Sequence, residues 1–355
     1  MSKFISSRFD SLEEYVPGEQ PRDKKYIKLN TNESPFPPSP AVLRAASEQV
    51  ELCNLYSDPT LRDLRSKIAS LYGVEMQNVI ATNGSDEALS FAFMAYCDKD
   101  TGVAYPNISY GFYKVFGQLY SLDCLEVPLR DDFTINISDY FGLGRTVFIA
   151  NPNAPTGIAL TPDEIEQIVI NNPDNVVVID EAYVDFGAQS CVPLTKKYKN
   201  LLVVQTFSKS RSLAGARIGF AIGDASLISD LEKLRYSTNP YNVNRMSAAC
   251  GCAALDENSY YTDNCKKIIK SRTLMVKGLK ELGFYTTDSS ANFVFARHES
   301  ISGQEIYSKL RKNGILVRHF SSPKICEYNR ITVGTEAQTN ALLDALKTIE
   351  KENTK

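Results

Sequence analysis

Thr206-Phe-Ser-Lys-Ser-Arg-Ser-Leu-Ala-Gly-Ala-Arg-Ile-Gly-Phe220 is the segment from which the architecture of this chain unfolds. It leaves one apolar run of strand length, Leu201–Thr206, and enters another, residues 218–222. Between them stand Ser208-Lys209 and Arg217. Desolvating an ammonium is costly unless it is paired or neutralised, so a lysine seldom closes a buried strand without a use. At a strand end it can join a carbonyl cofactor covalently, and Arg217 can grip a phosphate in its planar fork. By itself a Ser-Lys pair reads more often as surface decoration. Three motifs upstream reverse that reading.

Asn151-Pro-Asn-Ala-Pro-Thr-Gly157 follows the strand-like Thr146–Ala150. Its prolines and glycine turn the chain at a strand's carboxyl end, where open α/β sheets bind ligands. Asp180-Glu-Ala-Tyr183 closes the apolar run 176–179, and its aspartate suits either a helix cap or a site. Asn83-Gly-Ser-Asp-Glu87 lies between a strand, 79–81, and a helix, 87–97. Its glycine lets backbone N–H groups face an anion at the helix start, although Ser85 or Asp86 would serve equally as a plain N-cap.

In this order and spacing the four motifs resemble the aspartate-aminotransferase fold family of pyridoxal 5′-phosphate (PLP) enzymes, and within it the histidinol-phosphate aminotransferases. Leu29-Asn-Thr-Asn-Glu-Ser-Pro35, Tyr56-Ser-Asp-Pro59, Pro240-Tyr-Asn-Val-Asn244 and Arg330-Ile-Thr-Val-Gly334 extend the likeness from Tyr15 to the C-terminus. The resemblance implies an α/β fold: a mostly parallel seven-stranded sheet in a large domain, plus a smaller α+β domain. It implies that Lys209 carries PLP and shuttles protons, with Asp180 against the pyridine nitrogen, Tyr183 on the 3′ oxygen and Tyr110 stacked on the ring. The phosphate would be held by the backbone of Gly84, Ser85 and Asp86 with Ser208 and Arg217. Tyr56 matches a tyrosine that reaches the phosphate from the neighbouring subunit, so the resemblance also implies a homodimer.

One position departs from the family pattern. Where asparagine usually precedes Pro-Thr-Gly, this chain has Ala154. Either Asn153 reaches the ring's 3′ oxygen through a shifted backbone, or Tyr183 holds that oxygen largely alone; Asn153 is the preferred reading. Tyr15, Asn32, Arg318 and Arg330 match substrate-binding positions, the two arginines at the distal acid group. The resemblance thus implies transamination of L-histidinol phosphate with 2-oxoglutarate, a step of histidine biosynthesis that gives imidazole acetol phosphate and glutamate in the reverse-biosynthetic sense. Threonine-phosphate decarboxylase and an aromatic or broad-range aminotransferase share the fold and stay open. A PLP-binding regulatory module would carry a DNA-binding domain, and the residues ahead of Leu29 show no helix-turn-helix pattern.

Composition agrees with a soluble enzyme. At 355 residues the chain suits a large and a smaller unit better than one core. A net charge of −3 without basic blocks offers no electrostatic reason to bind nucleic acid. Eight cysteines with only two histidines cannot easily assemble a zinc site, and reduced thiols in the cytoplasm are expected. No apolar run reaches the roughly 20 residues of a membrane span. Gly142-Leu-Gly-Arg-Thr-Val147 half-matches a dinucleotide fingerprint, but its glycines precede a strand instead of following one.

Organisation follows the hydrophobic period. Helical patterns over 41–52, 61–72 and 87–97 alternate with apolar strands near 79–82, 101–105, 122–127, 146–150, 176–179, 201–206 and 218–222, which argues for a mainly parallel sheet covered on both faces. Thr161-Pro-Asp-Glu164 reads as a capping box. Long helices over 227–236 and 244–282 then give way to a compact tail with strands near 292–296, 315–317 and 330–333. The expected division is an arm, 1–40, packed on the small domain and a partner subunit; a large PLP-binding domain, 41–245; and a small domain, 246–355.

Overall fold

The computed structural model describes residues 2–10 and 12–353. The first part of the chain contains β1 (Ile27–Lys28), α1 (Pro40–Val50), α2 (Arg62–Tyr72), β2 (Val79–Thr82), α3 (Ser85–Tyr96), β3 (Val103–Pro106), α4 (Phe112–Leu119) and β4 (Cys124–Val127). The middle contributes β5 (Thr146–Ala150), α5 (Pro162–Ile170), β6 (Val177–Asp180), β7 (Leu201–Thr206), β8 (Gly219–Gly223), α6 (Ala225–Thr238) and α7 (Arg245–Asp256). The rest is α8 (Asn258–Glu281), β9 (Phe284–Thr286), β10 (Phe293–His298), α9 (Gly303–Lys312), β11 (Ile315–Leu316), β12 (Arg318–His319), β13 (Asn329–Thr332) and α10 (Glu336–Asn353).

Seven strands form one sheet in the order β2-β8-β7-β6-β5-β3-β4. Every pairing is parallel except those of β8, which runs antiparallel to both β2 and β7. Strands buried on both faces need apolar residues at every position, and β6 shows why. Val177 and Ile179 enter the core on one side while Val178 enters the core on the other, all fully buried. Each such side chain is worth about 1.5–3 kcal/mol relative to exposure.

The C-terminal part builds a second core around the antiparallel sheet β12-β13-β10-β9, covered by α8, α9 and α10. Here β1 pairs in parallel with β11, so the N-terminal segment is stitched to this part of the molecule. Earlier in the arm, Glu13 pairs with Lys114 of α4, whereas Glu19 pairs with Arg311 of α9.

The seven expected strands fall within two residues of their observed positions, and Thr161 and Glu164 form the reciprocal capping box. The single long helix expected over 244–282 is instead α7 and α8, separated at Glu257, where the polar run Asp256-Glu-Asn-Ser259 interrupts the apolar face. The short β9 was not expected. The run expected as one strand over 315–317 divides, β11 serving the arm and β12 serving β13. No helix among the described residues is long and apolar enough to cross a membrane.

Candidate active site

The carboxyl ends of the parallel strands open into a cavity of about 500 Å3. Strand β6 ends in Asp180, which lies in register with Ala150 of β5 and Val204 of β7. Strand β7 leads into Ser208 and Lys209, and β2 leads through Gly84 into α3. Because β8 is reversed, its first residues sit at this same edge, and Arg217 just before it faces the start of α3.

That start is built to receive an anion. No side chain caps α3, so the N–H groups of its first turn are left for another acceptor. Gly84 holds φ +84°, and a Cβ there would collide with the Arg217 guanidinium. A Cβ on Gly219 would strike the backbone at Gly84 and Ser85. Arg217 bonds Asp86 at 3.0 Å and reaches Ser208 Oγ at 3.4 Å. Asp86 also accepts from Tyr110 Oη at 2.6 Å, and burial pushes that phenol's pKa well up.

Asp180 is buried at the cavity floor. Burial raises its pKa to about 6, against the opposing pull of hydrogen bonds from Ala182 N and Tyr113 Oη, each at 3.1 Å. A carboxylate so placed is stabilised by a cation set against it. Its neighbour Glu181 points the other way, accepting from Cys191 N, Ser190 Oγ and Gln205 Nε2, and burial pushes its pKa up to about 7. Lys209 Nζ has no carboxylate within ion-pair distance among the described residues. Its one hydrogen bond goes to the Thr31 carbonyl at 3.3 Å, and it lies 5.6 Å from the centre of the Tyr183 ring.

The other wall comes from the arm and the smaller sheet. Asn32 holds φ +55° and is fixed by Thr332 and Asn292, and its Nδ2 donates to Tyr183 Oη at 3.0 Å. The Tyr183 ring stands edge-on to Phe293. Arg318 and Arg330 lie directly opposite each other on β12 and β13. Like charges in that register repel, and neither guanidinium has an acid partner among the described residues. Arg318 donates to the Val16 and Pro17 carbonyls at 2.8 and 2.9 Å; half-buried Arg330 reaches only the Asn30 carbonyl at 3.2 Å, and its buried Nε has no partner. Tyr15 packs on Phe112 and Tyr110, and its phenol pKa is raised by burial against the pull of both arginines.

Thus Tyr15, Asn32, Ser85, Asp86, Tyr110, Asp180, Tyr183, Ser208, Lys209, Arg217, Arg318 and Arg330 share one cavity, with Gly84 immediately behind it. Two sequence expectations fall elsewhere. Asn153 is off the cavity wall: its amide donates to the Ile108 carbonyl and Thr156 Oγ1 and accepts from Ser109, so it is consumed in shaping its own turn. Ala154 lines the cavity in its place, and the preference for Asn153 as a ring contact is corrected accordingly. Tyr56 is 78% exposed and stacks on Tyr241, outside this cavity. Tyr113, in the first turn of α4, donates to Asp180, a contact that nothing in its local sequence marks.

Comparison with known proteins agrees with this geometry. Residues 24–346 match the family model for aminotransferases of class I and II. The chain is 51% identical over 353 residues to a histidinol-phosphate aminotransferase of Brachyspira hyodysenteriae, covering 99% of this chain and all of that protein. It is 48% identical to histidinol-phosphate aminotransferase 1 of Hydrogenovibrio crunogenus, covering 99% of each. In fold it is similar to the histidinol-phosphate aminotransferase of Sinorhizobium meliloti in complex with PLP, with a TM-score of 0.90 and 23% identity over 99% of each chain. The L-threonine-O-3-phosphate decarboxylase of Porphyromonas gingivalis shares the fold at a TM-score of 0.79 and 22% identity, over 92% of this chain and 99% of that one.

Proposed function

The chain belongs to the class I and II aminotransferases, and from that premise we propose that it moves the amino group of histidinol phosphate to 2-oxoglutarate, and the reverse, in histidine biosynthesis. It is an aminotransferase whose cofactor is PLP. When bound, PLP supplies the electron sink that makes the substrate's α C–H bond acidic. Lys209, with no acid partner among the described residues, the buried Asp180 and the uncapped start of α3 beside Arg217 fit that group in charge, and the cavity of about 500 Å3 fits it in size.

In this reading the Ser85 and Asp86 N–H groups, Ser208 and Arg217 hold the cofactor phosphate. Asp180 keeps the ring nitrogen protonated, and Tyr113 and Ala182 keep the Asp180 carboxylate aimed. Tyr183, itself held by Asn32, donates to the 3′ oxygen without help from residue 154. Tyr110 covers one ring face. Lys209 Nζ would serve as the general base that takes the proton from the substrate's α carbon and the acid that returns it on the cofactor side.

The observation that carries the substrate assignment is the facing pair Arg318 and Arg330, two cations in register with no acid between them. A dianionic phosphate answers both, whereas a carboxylate answers one. Tyr15 closes over the same end. Adding histidinol phosphate, phenylalanine and threonine phosphate separately to the PLP-loaded protein tests this. Conversion of the cofactor to its amine form should be fastest with histidinol phosphate. Release of carbon dioxide from threonine phosphate would instead make it a decarboxylase.

A homodimer completes the site in this reading. Tyr56 stands exposed and stacked on the exposed Tyr241, an aromatic pair that suits a subunit contact. From there Tyr56 would reach the partner's cofactor phosphate. All eight cysteines are free, which suits a reducing compartment such as the cytoplasm.

A further inference from the structure

A second cavity, of about 370 Å3, lies behind the segment that carries Lys209. The end of α2, the first turns of α8 and the turn Val184–Phe186 enclose it, and Ser210 and Arg211 form one wall. Arg211 is only 8% exposed, and neutral groups alone surround it. Its Nη2 donates to Asn258 Oδ1 at 2.9 Å, its Nη1 reaches the Ala254 carbonyl at 3.5 Å, and the rings of Phe207 and Tyr261 flank it. Among the described residues it forms no ion pair. A buried guanidinium without a counter-charge is costly unless something else supplies one.

Across the same cavity stands Asp185, exposed, whose carboxylate likewise has no hydrogen-bond or ion-pair partner among the described residues. Arg211 and Asp185 act with opposite sign on Tyr72 and Cys265, which places both near the same two cavity residues. The remaining cation on the wall, Lys266, is already paired with Asp263 at 2.8 Å. The cavity therefore presents one unmet charge of each sign. A dianion would be repelled by Asp185, and an apolar guest would leave both charges unanswered.

We propose that this cavity is a second ligand site, which takes a small amino-acid zwitterion with its carboxylate on Arg211 and its ammonium on Asp185. The site is separate from the transamination cavity and stands whether or not histidinol phosphate is the substrate there. Because Arg211 follows Lys209 in sequence by two residues, an occupant would contact the same loop that presents the cofactor lysine.

The probe is L-proline, a zwitterion whose secondary amine makes it a poor amino donor, titrated calorimetrically into the PLP-loaded protein beside acetate. Proline should bind saturably and more tightly than acetate, in the presence of saturating histidinol phosphate as in its absence. Asp185→Asn, an exposed change, should weaken proline by about fivefold, the upper end for an exposed ion pair, and leave acetate unchanged. Arg211→Met should abolish both; should that variant fail to fold, Asp185→Asn decides alone. Equal affinity for proline and acetate, displacement of proline by histidinol phosphate, no saturable heat, or indifference of proline to Asp185→Asn would each overturn the proposal.

Discussion

Replacing Arg318 by alanine separates a phosphate site from a general carboxylate site. Arg318 and Arg330 face each other across β12 and β13, but their surroundings differ. Arg330 is half-buried, with an Nε shut off from solvent and unpartnered, whereas Arg318 lends its more exposed fork to two backbone carbonyls of the arm. Truncating one member of a desolvated charge pair costs about 2–5 kcal/mol. Exposure and screening put Arg318 at the low end, about 2 kcal/mol, or roughly 30-fold in kcat/KM for histidinol phosphate. Arg330→Ala belongs at the upper end, roughly a thousandfold or more. Turnover of phenylalanine should fall less than about fivefold in Arg318→Ala, because Arg330 alone can hold one carboxylate. The assay is steady-state kcat/KM for both donors with 2-oxoglutarate, following glutamate. Equal losses for the two donors would mean that Arg318 acts by tethering Val16 and Pro17, and the phosphate argument would fail.

Other consequences are open to direct measurement. Lys209→Ala should still bind PLP but lose transamination, and borohydride reduction of the wild-type holoenzyme should label Lys209; a label on any other lysine would refute its role. Gly84→Ala forces a side chain into the left-handed region and against Arg217, so its PLP affinity, read by titration, should fall at least tenfold, a loss of about 1.4 kcal/mol. In the cofactor-free protein Asp180 has a raised pKa, so the stability it contributes is present at low pH and disappears as pH rises through about 6. A cationic ring nitrogen would relieve that loss. The rise in Tm on adding PLP should therefore be larger at pH 8 than at pH 5, and Asp180→Asn should flatten the difference; a larger rise at pH 5 would contradict the assignment. Mixing inactive Lys209→Ala and Tyr56→Ala proteins should restore activity in hybrid dimers, and a demonstrated heterodimer without activity would remove Tyr56 from the partner's site.

Much of this site could be read from the chain because its residues cluster at element ends. Apolar runs such as residues 176–179 announce buried strands, and whatever polar residue closes them must sit at the sheet edge, as Asp180 does. What could not be read depends on geometry across distant segments. That Arg318 and Arg330 share a register is a property of the β12–β13 pairing, absent from either local pattern. The role of Tyr113 depends on which way α4 turns its face toward Asp180. Asn153 misled for a related reason: residue type and neighbourhood matched, but a one-residue shift exchanges a side chain that faces the cavity for one that braces the turn. The bond from Asn32 to Tyr183 requires the arm to cross between the two sheets, and nothing in either motif marks the other as its neighbour.

The reversal of β8 also bears on how the chain comes together during synthesis. Its insertion between β2 and β7 makes Val79–Thr82 wait for Gly219–Gly223 before finding a neighbour in the sheet. An emerging polypeptide therefore holds its first large-sheet strand with an open edge until most of the domain has left the ribosome, and such edges invite aggregation. The same delay keeps Gly84 and Arg217 apart, so a nascent chain has no phosphate cradle to offer. Cofactor can thus rescue a slow or damaged chain only after this closure, and chaperone protection would be needed most before β8 arrives.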